Sequence, residues 1–322
     1  MTWSLLRGGH DFFEERPIRP MPLPERSRVS PSHREPIQVA VAQIEPTLGN
    51  LATNLRMHLD QVAEAKAGRI DLLVFPELSL TGYYLRDQVP EVAEPRDGPL
   101  CRAILEAAGP DLAVVFGFVE ESPASRFFNS AVFADAVSIV HVHRKVYLPT
   151  YGMFDEHRYF APGSRIQAFD TRFGRVGLLI CEDAWHLSAG VILQADEIDL
   201  LIVPANSPAR GVRDSSPGSR QSWNLLMRTF AVFLNVPVVF ANRVGFEDGV
   251  CFWGGSAVVS ASGDYLAEAP ALEPCRLLAV IDPLDTRRQR IIAPLHRDER
   301  VSLTIQELER IRNERYRSEP GT

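Results

Sequence analysis

Long apolar segments and an export signal are missing from this sequence. None of the apolar runs in its 322 residues approaches the ~20 residues that a membrane-spanning helix requires. Residues 1–16 meet charged side chains early and lack the apolar core of a secretory signal peptide. These two absences predict a cytoplasmic protein that makes no contact with membranes.

Closely spaced cysteines are missing as well. The four cysteines, Cys101, Cys181, Cys251 and Cys275, are far apart and form no CxxC pair. Disulfide-rich folds are short and dense in cysteine, and zinc sites use closer spacings, so this pattern predicts free thiols and no metal. The net charge of −7 gives no overall attraction to nucleic acid. We therefore expect no nucleic-acid partner.

The first 36 residues differ from the rest of the chain. They contain six of the 24 prolines and alternate arginine with glutamate without an apolar period, which predicts an extended arm over residues 1–36. From residue 37 onward, β-rich and helical stretches alternate. We expect one α/β domain over residues 37–322 that ends in a helical tail.

The predicted elements interleave strands with helices, but a hairpin intrudes at residues 129–144. This order favours a mixed sheet, or two sheets, with helices outside. Asn50 is expected to cap a helix that places Leu51, Leu55, Leu59 and Val62 on one face. The predicted strands are 37–44, 72–75, 112–119, 129–134, 137–144, 177–181, 200–204, 238–242, 256–260 and 277–281, and the later predicted helices are 185–195, 219–234 and 304–316.

Cys181 is the first candidate for chemistry. It ends the apolar run 176–180 and precedes the sequence EDAW, so it lies between the carboxyl end of a strand and a helix. In α/β folds this is where functional groups are exposed. Main-chain N–H groups at such a turn favour a thiolate and can stabilise an oxyanion. The alternative is a small buried core side chain, which is what most free cysteines are.

Two further candidates stand at strand ends. Glu77 is a lone carboxylate between apolar neighbours, a setting that raises a carboxyl pKa and suits a general base. Lys145 follows the strand at 137–144 and can hold an anionic intermediate or tune a thiol. A solvated or capping side chain is the alternative for each. His141 and His143 share the side of the strand on which Lys145 lies, but no further ligand is near in sequence, so we expect no metal there.

Together the three segments resemble the nitrilase superfamily of carbon–nitrogen hydrolases, which carries a Glu–Lys–Cys triad. The resemblance covers most of residues 37–290 and excludes the N-terminal arm. Within the superfamily, YLPTYGMFDE and CEDAW are similar to the glutaminase domain of glutamine-dependent NAD synthetases. The matching stretches are FPELSLTGY around Glu77, HRKVYLPTYGMFDEHRYFAPG around Lys145 and GLLICEDAWH around Cys181.

The resemblance implies a four-layer α-β-β-α sandwich of the nitrilase type, formed by pairing two subunits, and a homodimer or larger homo-oligomer. NAD synthetases join the glutaminase to an ammonia-using synthetase domain with a nucleotide loop. This sequence has neither a GxxxxGKS/T nor a GxGxxG segment. We therefore expect the synthetase half to be absent, which leaves a separate synthetase as a possible recipient of ammonia.

The resemblance also implies how the triad hydrolyses a small carboxamide, without a cofactor. Glu77 takes the thiol proton of Cys181 while the sulfur attacks the amide carbon, and a thioester forms. Lys145 and the main-chain N–H of Glu182 stabilise the oxyanion. Glu156 is then the supporting carboxylate, which holds Lys145 or contacts the substrate amide.

Substrate recognition is expected in two places. Tyr151 and Trp185 are predicted to line the pocket. In the glutaminase relatives a serine and a basic residue of one loop bind the amino-acid end of the substrate. The matching residues are Ser207 and Arg213, with Arg210 the weaker candidate, and an arginine suits a carboxylate because its fork binds two oxygens.

Several alternatives remain open at this point. A true nitrilase, an ω-amidase or an N-carbamoyl amide hydrolase uses the same triad on a different substrate, so glutamine is one candidate among several. A catalytically inactive interaction module of the same fold is the alternative from another class, but it has no need of all three triad residues. A flavodoxin-like binding protein is disfavoured by the central hairpin and the absence of a phosphate loop.

Overall fold

The computed structural model describes residues 35–210, 212–213 and 216–316. Most of the arm predicted for residues 1–36, and the end of the predicted tail, lie outside the described residues. Within those ranges, every helix is too short or too polar to cross a bilayer.

The first half of the chain is built from five strands and the helices between them. In chain order these are β1 (Ile37–Gln43), α1 (Leu51–Ala67), β2 (Leu72–Val74), α2 (Val89–Val92), α3 (Pro99–Ala108), β3 (Ala113–Glu121), β4 (Phe127–Asp135), β5 (Ser138–Arg144) and α4 (Glu156–Tyr159).

The second half adds further strands, the helices that cover them and a helical tail. These are β6 (Phe169–Thr171), β7 (Gly174–Leu178), α5 (Leu187–Ala195), β8 (Leu200–Ala205), β9 (Val212–Arg213), β10 (Ser216–Pro217), α6 (Gly218–Leu234), β11 (Val238–Asn242), β12 (Val244–Glu247), β13 (Val250–Trp253), β14 (Ala257–Val259), β15 (Tyr265–Glu268), β16 (Cys275–Ile281), α7 (Pro283–Ile292), α8 (Leu295–Asp298) and α9 (Val301–Ile311).

Two six-stranded mixed sheets form the centre of the molecule. The first has the order β16-β1-β2-β3-β4-β5 and the second β15-β14-β11-β8-β7-β6. Strands β1, β2 and β3 run parallel, and two antiparallel steps through β4 bring β5 back to the same direction. In the second sheet β7, β8 and β11 are parallel. The carboxyl ends of parallel strands therefore meet at one edge of each sheet. In the first sheet these are the ends of β2 and β5, and in the second those of β7, β8 and β11.

The alternation of side chains along β1 explains why the layers stack. Val39 and Val41 face the core that contains the second sheet, whereas Ala40 and Ala42 pack in a separate cluster with α1 and α3. On the far side, α5 and α6 pack on the second sheet through side chains such as Leu193. The central strands of both sheets are thus covered on both faces, and the four layers are helices, sheet, sheet and helices.

The predicted α/β sandwich is confirmed, with one correction. We expected the four layers to arise from the pairing of two subunits, but one chain supplies all of them. The sequence patterns also missed α3, although its buried residues Cys101, Ile104, Leu105 and Ala108 follow a helical period, as well as α7 and the hairpin of β12 and β13.

Helix α1 shows why the loop after β2 is held in place. Asn50 caps the helix by accepting a hydrogen bond from the N–H of Thr53 at 3.0 Å, as predicted. The most buried stripe is not the predicted leucine face, however, since it includes the polar residues Asn54 and His58. Asn54 donates to the carbonyl of Leu80 at 2.9 Å, and His58 Nε2 lies 2.9 Å from Ser79 Oγ. The stripe is polar because it packs on a loop whose buried carbonyl and hydroxyl groups need hydrogen-bond partners.

Candidate active site

The polar side chains at the strand ends converge on one buried cluster. Glu77 follows β2, Lys145 follows β5 and Cys181 follows β7. The loop that carries Glu77 lies close against β3 at Gly117, where a Cβ atom would be only 2.3 Å from the main-chain nitrogen of Leu78. Any larger residue at position 117 would push this loop away, so the glycine is required by the close approach.

Lys145 lies between two carboxylates. Its Nζ is 2.8 Å from Oε1 of Glu77 and 2.6 Å from Oε1 of Glu156. All three residues are buried, with Lys145 only 1% exposed. Buried charges are tolerated when they are paired and hydrogen-bonded, as these are.

Glu77 is held by further donors. Oε1 also accepts from Asn129 Nδ2 at 2.7 Å, and Oε2 accepts from the main-chain N–H of Asn206 at 2.8 Å. Asn206 Nδ2 binds the carbonyl of Glu77 at 2.9 Å. With four hydrogen bonds, the glutamate has little rotational freedom and is presented in one orientation. Both asparagines were missed in the sequence, although Asn206 directly follows β8 next to the predicted Ser207.

Cys181 begins a 3₁₀ turn (Cys181–Trp185). Its φ of 47° lies in the left-handed region, which non-glycine residues rarely adopt and which recurs at functional sites. The main-chain N–H of Asn206 faces the sulfur, and the same N–H binds Glu77. The N–H of Glu182 stands in the first turn of the 3₁₀ helix, where N–H groups lack intrahelical acceptors.

The charges in this cluster act on one another. Burial raises the pKa of the Cys181 thiol well above its usual value; Glu77 adds to the rise and Lys145 opposes it. Burial by itself would lower the pKa of Lys145, but Glu156 and Glu77 outweigh it and the net shift is upward. Burial raises the pKa of Glu156 to about 7 against the opposing effect of Lys145. The resting sulfur is thus a thiol beside a charged ammonium.

Asp183 connects the turn of Cys181 to the loop of Lys145, a role that the sequence did not reveal. Its Oδ1 accepts from the N–H groups of Val146 and Tyr147, each at 2.9 Å. Its Oδ2 accepts from the N–H of Ile180 at 3.1 Å and lies 2.8 Å from Nε2 of His143. This buried carboxylate fixes the spacing between the turn of Cys181 and the loop of Lys145.

His143 is therefore occupied by Asp183, and His141 stacks on Phe169 with ring centroids 4.3 Å apart. Across the described residues there is no group of three or more histidine, cysteine, aspartate or glutamate side chains with the arrangement of a metal site.

Tyr83 also received no role in the sequence analysis. Its hydroxyl donates to Oε1 of Glu156 at 2.5 Å, the oxygen that also receives Lys145. This donor lowers the pKa of Glu156 and so favours the carboxylate. The tyrosine lies inside the matched stretch FPELSLTGY, which was the available signal.

An open cavity of about 220 Å³ leads to Cys181. Tyr151 stands at its wall and donates its hydroxyl to Glu182 at 2.9 Å, and Trp185 packs edge-on against Trp223. Ser207 also lines the cavity, and its hydroxyl accepts from Trp253 Nε1 at 3.0 Å. The lining residues are Tyr151, Phe154, Cys181, Glu182, Trp185, Ser207, Pro208, Arg210, Ser219, Ser222 and Trp223.

Arg210 contributes a cation to this cavity. Its guanidinium lies 4.4 Å from the centroid of the Phe154 ring and 5.6 Å from that of Tyr151. One of its terminal nitrogens is buried and has no hydrogen-bond partner among the residues that the structure describes. The main chain of Arg213 pairs with β10, but the side chain lies outside the described residues, so its predicted role stays a prediction.

Known proteins share both sequence and fold with this chain. Residues 38–290 match the carbon-nitrogen hydrolase family. The chain belongs to that family. A carbon–nitrogen hydrolase from Helicobacter pylori G27 superposes with a TM-score of 0.75 at 26% identity, over 85% of this chain and 99% of that one. The fold is therefore that of the nitrilase superfamily.

Two characterised relatives show the range of the family. The glutamine-dependent NAD(+) synthetase of Acinetobacter baylyi is 30% identical over 80% of this carbon–nitrogen hydrolase, but the match covers only 46% of the synthetase. An (R)-stereoselective amidase from a Pseudomonas species is 35% identical over 72% of this chain and 81% of its own. The chain thus spans about half the length of the NAD synthetases that it matches.

The raised pKa of Glu156 predicts how stability changes with pH. Between about pH 4.5, its ordinary value, and about pH 7, the folded state holds a proton that the unfolded state has released. This contribution to the free energy of unfolding therefore falls as pH rises through that window. Glu156→Gln lacks this titration. The difference in free energy of unfolding between the variant and the wild type should therefore change in favour of the variant by on the order of 2–3 kcal/mol from pH 4.5 to pH 8.

Urea unfolding of both proteins at several pH values measures this difference. Glu94→Gln is a matched control, since Glu94 is a buried carboxylate that accepts main-chain N–H groups at the start of α3 and does not contact the cluster. A constant difference between the wild type and Glu156→Gln across the range would show that Glu156 titrates at its ordinary pKa.

Proposed function

We propose that this carbon–nitrogen hydrolase cleaves a small carboxamide through a thioester on Cys181 and releases ammonia. The observation that carries the proposal is the cluster in which Lys145 bridges Glu77 and Glu156 and in which Glu77 and Lys145 both act on the buried thiol of Cys181. A thiol, a fixed carboxylate and a charged ammonium are the groups that acyl transfer at an amide requires.

The first half of the reaction forms the thioester. Because the pKa of Cys181 is raised, the thiol proton must leave as the sulfur attacks, and Glu77 accepts it. The new sulfur–carbon bond converts the amide carbonyl to an oxyanion, which the ammonium of Lys145 and the N–H of Glu182 stabilise. Glu77 then passes its proton to the amide nitrogen, the carbon–nitrogen bond breaks and ammonia leaves.

The second half removes the acyl group. Water enters the site, Glu77 accepts one of its protons and the oxygen attacks the thioester carbon. The carbon–sulfur bond breaks, the acid departs and the proton returns from Glu77 to the sulfur. Each step uses only groups that this chain supplies, so no cofactor enters the proposal.

Replacing the nucleophile should abolish this activity. Ammonia release from a panel of amides and nitriles that includes glutamine is the measurement. Cys181→Ala is expected to fold as the wild type does and to lose more than about 10³-fold in kcat. Cys251→Ala is the matched control, because Cys251 is a half-buried free thiol on β13 that does not line the cavity. Retained hydrolysis in Cys181→Ala would eliminate this cysteine as the nucleophile.

The substrate class follows from the cavity. Arg210 lines the same cavity as Cys181, and its guanidinium suits an amide that also carries a carboxylate. Glutamine has this chemistry, and the Acinetobacter relative is named for its dependence on glutamine. An ω-amidase substrate has it too, whereas a simple nitrile or an uncharged amide leaves the arginine unpaired.

Arg210→Met should separate these substrates. We expect KM for a carboxylate-bearing amide to rise about 10- to 100-fold, the effect of losing a charged hydrogen bond, while KM for an uncharged amide such as propionamide changes little. Arg220→Met is the control, since Arg220 starts α6 but pairs with Glu268. An equal KM increase for both substrates would show that Arg210 shapes the cavity but does not bind the substrate carboxylate.

We also propose that the chain self-associates through the outer face of α5 and α6. Leu187, Leu225 and Phe233 are each more than 60% exposed there, which is unusual for side chains of this size on a monomer surface. A homodimer through this face leaves the ammonia product free for a separate synthetase.

The four free thiols fit the reducing cytoplasm, which we propose as the location of the protein.

Light scattering coupled to size-exclusion chromatography tests this interface. Leu225→Glu is expected to halve the molar mass of the wild-type particle or shift it toward the monomer, because a buried charge costs several kcal/mol. Leu278→Glu, a substitution of a similarly exposed leucine on β16, should leave the mass unchanged. A monomeric wild type, or a Leu225→Glu variant of unchanged mass, would contradict the proposed interface.

A further inference from the structure

A buried ion pair lies outside all of the matched catalytic motifs. Arg243 follows β11 and Glu247 ends β12, and both are almost completely buried. The guanidinium donates to Oε2 of Glu247 at 2.5 Å and to the carbonyl of Pro46 at 3.2 Å. It also lies over the ring of Phe252, 4.4 Å from the centroid. These contacts hold the side chain of Arg243 in one position, and Arg243 in turn holds the carboxylate of Glu247.

Glu247 uses its other oxygen to hold the main chain before the active site. Oε1 accepts from the N–H of Tyr83 at 2.8 Å and from that of Tyr84 at 2.6 Å. The preceding Gly82 has a φ of +80°, and a Cβ atom there would lie 2.8 Å from Oε2 of Glu247. The turn therefore needs glycine both for its left-handed backbone and for the close approach of the carboxylate.

The side chain of Tyr83 continues from this anchor into the cluster. Its hydroxyl donates to Glu156 at 2.5 Å, and Glu156 is 2.6 Å from Lys145, which contacts Glu77 at 2.8 Å. An unbroken series of contacts therefore joins the ion pair to the proposed general base. A second link is shorter, since the main-chain N–H of Arg243 binds the carbonyl of Ala205, the residue before Asn206.

We propose that Arg243 and Glu247 are positioning residues for the hydrolase reaction: they fix the main chain of Tyr83 so that its hydroxyl stays bonded to the Glu156 oxygen that contacts Lys145. This inference rests on the proposed function of the cluster. Neither residue contacts the cavity at Cys181, so they act through Tyr83 and not on the substrate.

The proposal makes a prediction about pH that a purely structural role does not. Because the Tyr83 hydroxyl lowers the pKa of Glu156, loosening it raises that pKa. The carboxylate is then lost at a higher pH as the solution is acidified, and Lys145 loses one of its two anionic partners. The acid limb of kcat/KM, which reports groups of the free enzyme, must move upward in pH.

The experiment compares Glu247→Gln with Tyr83→Phe in the full chain, using the amide that the wild type hydrolyses best. Each variant is expected to move the acid limb upward by about 0.5–1 pH unit, equivalent to a 3- to 10-fold loss of kcat/KM on that limb. At pH values far above the acid limb, the KM of each variant should differ from that of the wild type by less than about 3-fold. The double variant should shift no further than the larger single shift, because both substitutions act on the same hydrogen bond.

Glu94→Gln is again the matched control, as the Glu94 carboxylate accepts the N–H groups of Leu100 and Cys101 in the way that Glu247 accepts those of Tyr83 and Tyr84. It is expected to lose stability but to leave the acid limb in place. If Glu247→Gln does not fold, Arg243→Lys takes its place. This variant keeps the positive charge but holds Glu247 less firmly, so the acid limb should move upward by less than the shift expected for Glu247→Gln. An acid limb that stays at the wild-type pH in Tyr83→Phe or in the folded variant of the pair overturns the inference.

A failure of the proposed function is distinguished by a second readout. If the wild type hydrolyses no amide, the pH dependence of Cys181 alkylation by iodoacetamide is measured in the same variants. A downward shift in Glu247→Gln and Tyr83→Phe, with none in Glu94→Gln, supports the positioning role without hydrolysis, because a protonated Glu156 no longer raises the pKa of Cys181. Identical alkylation profiles in all four proteins would overturn it.

Discussion

The structure depends on one buried ammonium held between two carboxylates. Lys145 contacts Glu77 and Glu156 within 2.8 Å, and none of the three is accessible enough for water to replace these contacts. A lone charge at this depth would be strongly unfavourable, and the loss of one partner would leave the others uncompensated. The surrounding polar residues therefore serve to keep this arrangement intact beside Cys181.

The fold brings these groups together from distant parts of the chain. The first sheet supplies the glutamate and the lysine from the ends of β2 and β5, and the second supplies the cysteine and Asn206 from the ends of β7 and β8. Asp183 then joins the turn of Cys181 to the loop of Lys145. Since each group sits on a short connection at a strand end, the rigid sheets fix the site and the loops only orient it.

The sequence predicted the strands well because their apolar runs are continuous, and the motifs located the lysine and both glutamates of the cluster. It did not reveal Asn129, Asn206 or Asp183, whose importance comes from hydrogen bonds to residues far away in the chain. The apolar face expected on α1 includes the buried Val62, but the polar positions 54 and 58 are buried beside it, because they bind Leu80 and Ser79 of the Glu77 loop, contacts that only tertiary structure creates. Periodicity reports burial, whereas these residues are defined by their partners.

An acyl group caught on Cys181 tests the central claim most directly. The enzyme is mixed with a carboxylate-bearing amide, quenched in acid within a turnover and analysed by peptide mass spectrometry. The account predicts an added mass equal to the acyl part of the substrate on the peptide that contains Cys181, and no such adduct in Lys145→Met. Turnover without any adduct on this peptide, or with the acyl group on another residue, would contradict it.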